Sequence, residues 1–374
     1  MSTALILSDG KPGHENQSKA LAEGLGFSFR ILPCVYPKKA KKTLSYLCDH
    51  LGLSTDLAGI LPEATKLIEA ERPALLIGTG SNTFYSLKLL CKQFNIPCVA
   101  VLTPSGYSLK GFDAVLAPSF DNPPSRENVI VVPTNLTPAR PDFYREQTAA
   151  FLERYTPEKP RAVGVIIGGK NPIADVTPEW LKTQLDQLFA ATPDCEHWVT
   201  TSRRTSPEAE AVIDTFPFDY SLIFSREKFN PIPAFVTKCE RLFVSADSTG
   251  MLSEAVAVGE AKVEVLDNLT VSTGKFARFV DLLCEEGYAH RFDGSIGISD
   301  RKVDLAPIFA DLKMRLGLLR LKATATFKQH RRFSHRLCFL FFDSSNLNGF
   351  KVTSQGCSVH MAAFGELPFR HSSL

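Results

Sequence analysis

The chain has 374 residues, long for one domain and suited to two. Its apolar share of 44% suits a soluble globular protein with sizeable cores, and a net charge of +2 gives no sign of nucleic-acid binding. Its nine scattered cysteines contain no Cys-x-x-Cys pair, so they read as reduced residues, not a zinc or disulfide framework, and no apolar run has membrane-spanning length.

A short apolar strand, Ala4 to Leu7, opens the chain and leaves no room for a signal or transit peptide, which predicts a cytoplasmic protein. A polar turn follows, then a helix ending near Gly24 to Gly26. Phe27 to Val35 reads as a second strand and Pro62 to Glu71 as a helix with Pro62 in its first turn. Ala74 to Ile77 is a strand that turns at Gly78-Thr-Gly-Ser81 into a helix from about Asn82 to Gln93. Strands follow at Cys98 to Leu102, Ala114 to Ala117 and Val129 to Val132. Buried strands alternating with helices predict a parallel sheet covered on both faces.

Residues 135–160 are proline-rich and carry a charged helix, Asp142 to Arg154; they read as a linker. The alternation then restarts with a strand at Ala162 to Ile167, a helix at Pro178 to Ala191 and a strand at Trp198 to Thr201. Further strands are expected at Ser221 to Phe224, Leu242 to Ala246 and Val263 to Leu266, and helices at Glu208 to Thr215, Ile232 to Thr237, after Asp247 and at Lys275 to Glu286. The expected fold is therefore α/β, two doubly wound Rossmann-like domains facing a cleft. The domains are residues 1–134 and 161–317, with the linker between. From Leu318 onward 8 Lys/Arg face 2 Asp/Glu, against 34 and 38 in the rest. Residues 318–374 read as a basic, Phe-rich, poorly ordered tail. A peripheral membrane contact through that tail is the alternative reading.

In open α/β sheets ligands bind beyond the carboxyl ends of the strands. In the second half those ends supply Gly168, Gly169 and Lys170, then Ser202 and Arg203, then Ser248, Thr249 and Gly250. Small residues at a helix N-terminus, together with Arg and Lys, suit a diphosphate. Glu254, one turn beyond Gly250, suits a ribose hydroxyl. In the first half Lys11, Gly13, Asn16, Gln17, Gly80 and Ser81 suit a neutral acceptor, and His14 is the candidate general base. Each of these also has a structural reading as a capped helix, a tight turn or a solvated arginine. No G-x-G-x-x-G, P-loop, HExxH or G-x-S-x-G motif is present.

Four segments together resemble the "elongate mitochondria" fission-protein family of plants and its bacterial relatives. They are Asp9-Gly-Lys-Pro-Gly-His-Glu-Asn-Gln17, Thr200-Thr-Ser-Arg-Arg-Thr205, Asn230-Pro-Ile-Pro233 and Asp247-Ser-x-x-Met251-x-Ser-Glu254. The resemblance covers about residues 1–317 and implies a two-domain fold like that of B-type glycosyltransferases. It carries no catalytic assignment. The leading expectation is a nucleotide-sugar-binding, glycosyltransferase-like protein of the bacterial type, its partner a nucleoside diphosphate or nucleotide sugar. No cofactor and no metal are expected, because helix dipoles and Arg can neutralise the diphosphate. The second reading is a non-enzymatic adaptor that recruits a dynamin-like or membrane-associated protein partner.

Overall fold

A computed structural model describes residues 2–137 and 140–318. The expected tail was residues 318–374; all of it but Leu318 lies outside the described residues. Twelve strands form two six-stranded sheets. The first holds β1 (Thr3–Ser8), β2 (Ser28–Pro33), β3 (Leu75–Thr79), β4 (Cys98–Val101), β5 (Ala114–Pro118) and β6 (Val129–Val132), in the order β2-β1-β3-β4-β5-β6. The second holds β7 (Ala162–Ile167), β8 (Glu196–Thr201), β9 (Tyr220–Leu222), β10 (Arg241–Ser245), β11 (Lys262–Leu266) and β12 (His290–Arg291), in the order β12-β11-β10-β7-β8-β9. Every neighbouring pair of strands is parallel; Ile6, for example, lies between Ile31 and Ile77. Both sheets are doubly wound, as expected.

The helices α1 (Pro12–Gly24), α2 (Lys39–His50), α3 (Leu61–Glu71) and α4 (Phe84–Phe94) belong to the first half. Then come α5 (Pro141–Leu152), α6 (Pro178–Ala191), α7 (Pro207–Ile213), α8 (Ile232–Lys238), α9 (Thr249–Ala257), α10 (Lys275–Glu285) and α11 (Ala306–Arg315). Local chemistry sets several of the starts. Thr177 and Ser206 cap α6 and α7 by accepting from Trp180 N and Ala209 N, and a proline follows each cap. The central strands β3, β5 and β7 are buried along their whole length, because helices cover both faces.

Three elements differ from the sequence reading. Helix α2 was not expected, because its apolar residues do not mark a core face. The pair β12 and α11 was not expected either. The last helix returns to the first half: Phe309 packs on Gly24, where a Cβ would sit 2.3 Å from its ring, and Arg315 Nη1 donates to Glu127 O at 2.9 Å. The proline-rich stretch 135–160 carries α5, which packs on α8 and is part of the second half's packing. Phe151 is fully buried there, 5.1 Å from Trp198 and 4.8 Å from Tyr220 between ring centroids.

Candidate functional site

Each sheet reverses its winding once, between β1 and β3 in the first and between β7 and β10 in the second. Crevices open at the carboxyl ends of such neighbours. The two halves meet beside these ends. Phe120 and Phe279 pack at 4.5 Å, Arg278 Nε donates to Phe120 O at 3.0 Å, and Asn135 Nδ2 donates to Thr249 Oγ1 at 2.9 Å. A cavity of about 540 Å³ lies between the halves. Gly13, His14, Asn16 and Gln17 line one side, and Ser248, Thr249, Gly250 and Glu254 the other.

On the first side the β1 turn and the start of α1 hold His14. Gly10 takes the positive φ of 77° that the turn needs, and Gly13 sits inside α1. Asp9, its side chain almost wholly buried, accepts from His14 Nδ1 at 3.1 and 3.2 Å. With Nδ1 carrying the proton, Nε2 keeps its lone pair, and the ring lines the cavity. The first turn of α1 is tied down by Ser8, whose hydroxyl donates to Glu15 at 2.8 Å. That bond and Lys19 hold the Glu15 carboxyl below its ordinary range, the lysine first. Gln17 is buried, yet among the described residues no group meets its Oε1, so a polar acceptor is left at the cavity wall.

Lys11, Gly80 and Ser81 do not line the cavity. Lys11 is exposed and reaches Asp9 at 3.5 Å. Ser81 gives its carbonyl to Lys42 Nζ and to Tyr107 OH, the latter at 2.9 Å. Gly80 acts through His14. At φ 86°, a Cβ there would lie 2.4 Å from His14 Nδ1. Gly80→Ala is therefore expected to expel the imidazole from its place on Asp9 and to destabilise the fold by about 1–3 kcal/mol. The imidazole resonances in NMR titrations check this; unchanged His14 shifts would show that the ring does not depend on the glycine.

On the second side β10 runs into α9. Ser248 caps the helix and accepts from Met251 N. Among the described residues no acceptor meets the N–H groups of Thr249 and Gly250, and a Cβ on Gly250 would meet only Ser248 Oγ at 3.9 Å. Open N–H groups at a positive helix end suit an anion. Lys275, at the start of α10, lines the same cavity and lies 3.8 Å from Asp121. Glu254 accepts from Tyr144 OH at 3.0 Å through one oxygen. Burial holds its carboxyl above the ordinary range.

The structure treats the remaining expected residues differently. Gly168 N donates to Ser245 Oγ at 2.7 Å and Gly169 N to Asp247 Oδ2 at 3.1 Å, so neither N–H is left for a phosphate. A Cβ on Gly168 would lie 2.0 Å from Asp247 Oδ1, and one on Gly169 2.1 Å from Arg204 O. These glycines admit Asp247 and Arg204, not a ligand. Arg204, not Arg203, turns inward; its Nη2 pairs with the buried Asp247 at 2.6 Å while Arg203 is exposed. Ser202 Oγ accepts from Arg204 N, and Lys170 pairs with Asp175 at 2.8 Å. None of Gly168, Gly169, Lys170, Ser202 and Arg203 lines the cavity.

Asp9, Asn135, Tyr144 and Lys275 are the site groups that sequence reasoning missed. Asp9 stood within the quoted turn and was legible as a partner for His14. Lys275 follows Gly274 in a segment that fits no phosphate motif, so only its position in space brings it forward.

The family model described as "Mitochondrial fission ELM1" matches residues 12–312. No curated protein matches the chain. Among solved structures, the UDP-GlcNAc 2-epimerase of Neisseria meningitidis bound to UDP-GlcNAc is 14% identical, with 84% of this chain and 100% of that one covered and a TM-score of 0.42. MurG of Acinetobacter baumannii is 11% identical over 85% and 93%, with a TM-score of 0.43. A putative UDP-N-acetylglucosamine 2-epimerase of Listeria monocytogenes is 14% identical over 88% and 99%, with a TM-score of 0.45.

Proposed function

The chain belongs to the mitochondrial fission ELM1 family, and from that premise we propose that it binds a nucleoside diphosphate or nucleotide sugar in the cavity between its halves and transfers the sugar to a hydroxyl acceptor. The observation that carries this reading is the pairing of an open helix N-terminus with an oriented imidazole across one 540 Å³ cavity. The diphosphate sits on the N–H groups of Thr249 and Gly250 with Lys275 beside it, and the ribose hydroxyls donate to Glu254. The acceptor lies against Gly13, Asn16 and Gln17. His14 Nε2 takes the acceptor proton as its oxygen bonds to the anomeric carbon. The bond from that carbon to the diphosphate breaks, and the diphosphate leaves with the electron pair. Asp9 stabilises the imidazolium that forms. The donor site is built from Ser248, Thr249, Gly250, Glu254 and Lys275.

Calorimetry with a panel of nucleoside diphosphates tests the reading. Thr249→Trp is expected to abolish binding by filling the seat, and Glu254→Gln to weaken it by about 1.5–3 kcal/mol, the scale of a charge-assisted hydrogen bond. The pH dependence has a definite sign. Ribose hydroxyls need the carboxylate, so affinity falls as acid protonates Glu254. The raised position of that group brings the fall to a higher pH than an ordinary glutamate would. Glu254→Gln removes this fall. Equal affinity in both variants and the parent chain would place the nucleotide elsewhere.

The adaptor reading also has an observation behind it: an exposed apolar helix face outside the cavity.

A further inference from the structure

Helix α2 is built inside out. Its inward face is polar. Lys42 Nζ donates to Tyr107 OH at 2.6 Å, Ser45 Oγ lies 2.8 Å from the same hydroxyl, and Asp49 pairs with Lys88 at 2.7 Å. Tyr46 stacks on Tyr107 at 4.3 Å, and the Lys42 ammonium lies 4.6–5.3 Å from the ring centres of Tyr36, Tyr46 and Tyr107. Burial pushes the Lys42 amine down to about 8. The outward face carries Leu44, Leu47 and Leu51, at i, i+3 and i+7, with exposures of 43%, 56% and 63%. Val35 and Leu53 extend the patch at either end. Five of the ten large apolar side chains that are exposed among the described residues fall in this one segment.

An ordinary surface helix buries its leucines and solvates its lysines. Here a lysine is desolvated while three leucines face water, an arrangement that lowers stability unless something covers the leucines. The charge next to the stripe selects the cover. Lys38, Lys39 and Lys41 are all exposed at the start of the helix. Leucines on one face with lysines alongside match a surface that is apolar below and anionic above. No helix among the described residues is long and apolar enough to cross a membrane.

We propose that the outer face of α2 docks on an anionic lipid surface, with Leu44, Leu47 and Leu51 inserted at the headgroup boundary and Lys38, Lys39 and Lys41 against the lipid phosphates. The contact is independent of turnover in the cavity. Lys42 ties the opposite, inward face of α2 to the loop after β3 through the Ser81 carbonyl.

The test is co-sedimentation of the full chain with vesicles of phosphatidylcholine alone or mixed in equal parts with phosphatidylglycerol. The chain is expected to sediment with the anionic vesicles and to be released as salt is raised from about 0.1 to about 0.5 M. The triple variant Leu44→Asp, Leu47→Asp, Leu51→Asp is expected to lower the bound fraction about tenfold or more. The triple variant Lys38→Glu, Lys39→Glu, Lys41→Glu is expected to lower it on anionic vesicles and carries the test alone if the aspartate variant fails to fold. Three results would overturn the proposal: no binding by the parent chain, sedimentation of folded variants equal to that of the parent, or a dimer in light scattering that the aspartate variant converts to monomer. The last would make a second copy of the chain the occupant.

Discussion

His14→Ala is expected to lower sugar transfer by about 10²–10⁴ while leaving nucleoside diphosphate affinity nearly unchanged, the range a positioned general base contributes. The expectation rests on geometry. Both carboxylate oxygens of Asp9 lie within 3.2 Å of Nδ1, which favours the tautomer with the proton there and leaves Nε2 its lone pair, in a ring that lines the cavity. The residue lines the cavity from the first half, and Thr249 and Gly250 line it from the second, so in the proposed arrangement nucleotide binding should not depend on it. Asp9→Asn retains the shape but not the charge that stabilises the imidazolium. It should fall between the parent and His14→Ala in turnover. The ratio of rates for parent and variants, at saturating nucleotide sugar, is the measurement. A His14→Ala variant that melts earlier yet turns over at the parent rate would make the imidazole a packing residue and favour the adaptor reading.

Asp247→Ala is expected to cost the fold about 3–5 kcal/mol, the largest stability effect of any single change considered. The carboxylate is buried and accepts from Arg204 Nη2 at 2.6 Å, Ser245 Oγ at 2.6 Å, Gly169 N at 3.1 Å and Asn268 Nδ2 at 3.4 Å. Removing it leaves these donors without their acceptor and empties the space above Gly168, where the Asp247 carboxylate lies nearest. The carboxylate also joins the turns after β7, β8 and β10, so its loss should loosen the start of α9 and with it the anion seat. Asp247→Asn fills the space without the charge and is expected to cost less. Urea unfolding of the three proteins measures this. Combining Asp247→Ala with Arg204→Met isolates the pair, since the two changes should cost less together than their sum. A loss below about 1 kcal/mol for Asp247→Ala would show that the clasp is not what holds these turns.

Much of this was legible in the chain. Alternating apolar runs and helical stretches place β7 and α6 at the bounds that the structure shows. Of the residues that the strand ends brought forward, His14, Ser248, Thr249, Gly250 and Glu254 line one cavity, and they were legible because a cap and a turn are written in neighbouring residues. Helix α2 escaped because its leucines lie outward and its inward face is polar, the reverse of the pattern by which a helix is recognised.

What the sequence by itself determined is local: where strands stop, which turns hold small residues, and where helices begin. These follow from backbone sterics, capping and hydrophobic period, all set within a few residues. What only the tertiary structure decided is which polar groups are already satisfied. Gly169 and Asp247 meet across 78 positions, and Asn135 and Thr249 across 114. Nothing local separates a glycine that admits a phosphate from one that admits an aspartate, or Arg203 from Arg204. That distinction depends on which donor and acceptor the fold brings within about 3 Å of each other. For this chain it pairs the N–H groups of Gly168 and Gly169 with Ser245 and Asp247, and among the described residues it leaves those of Thr249 and Gly250 without an acceptor.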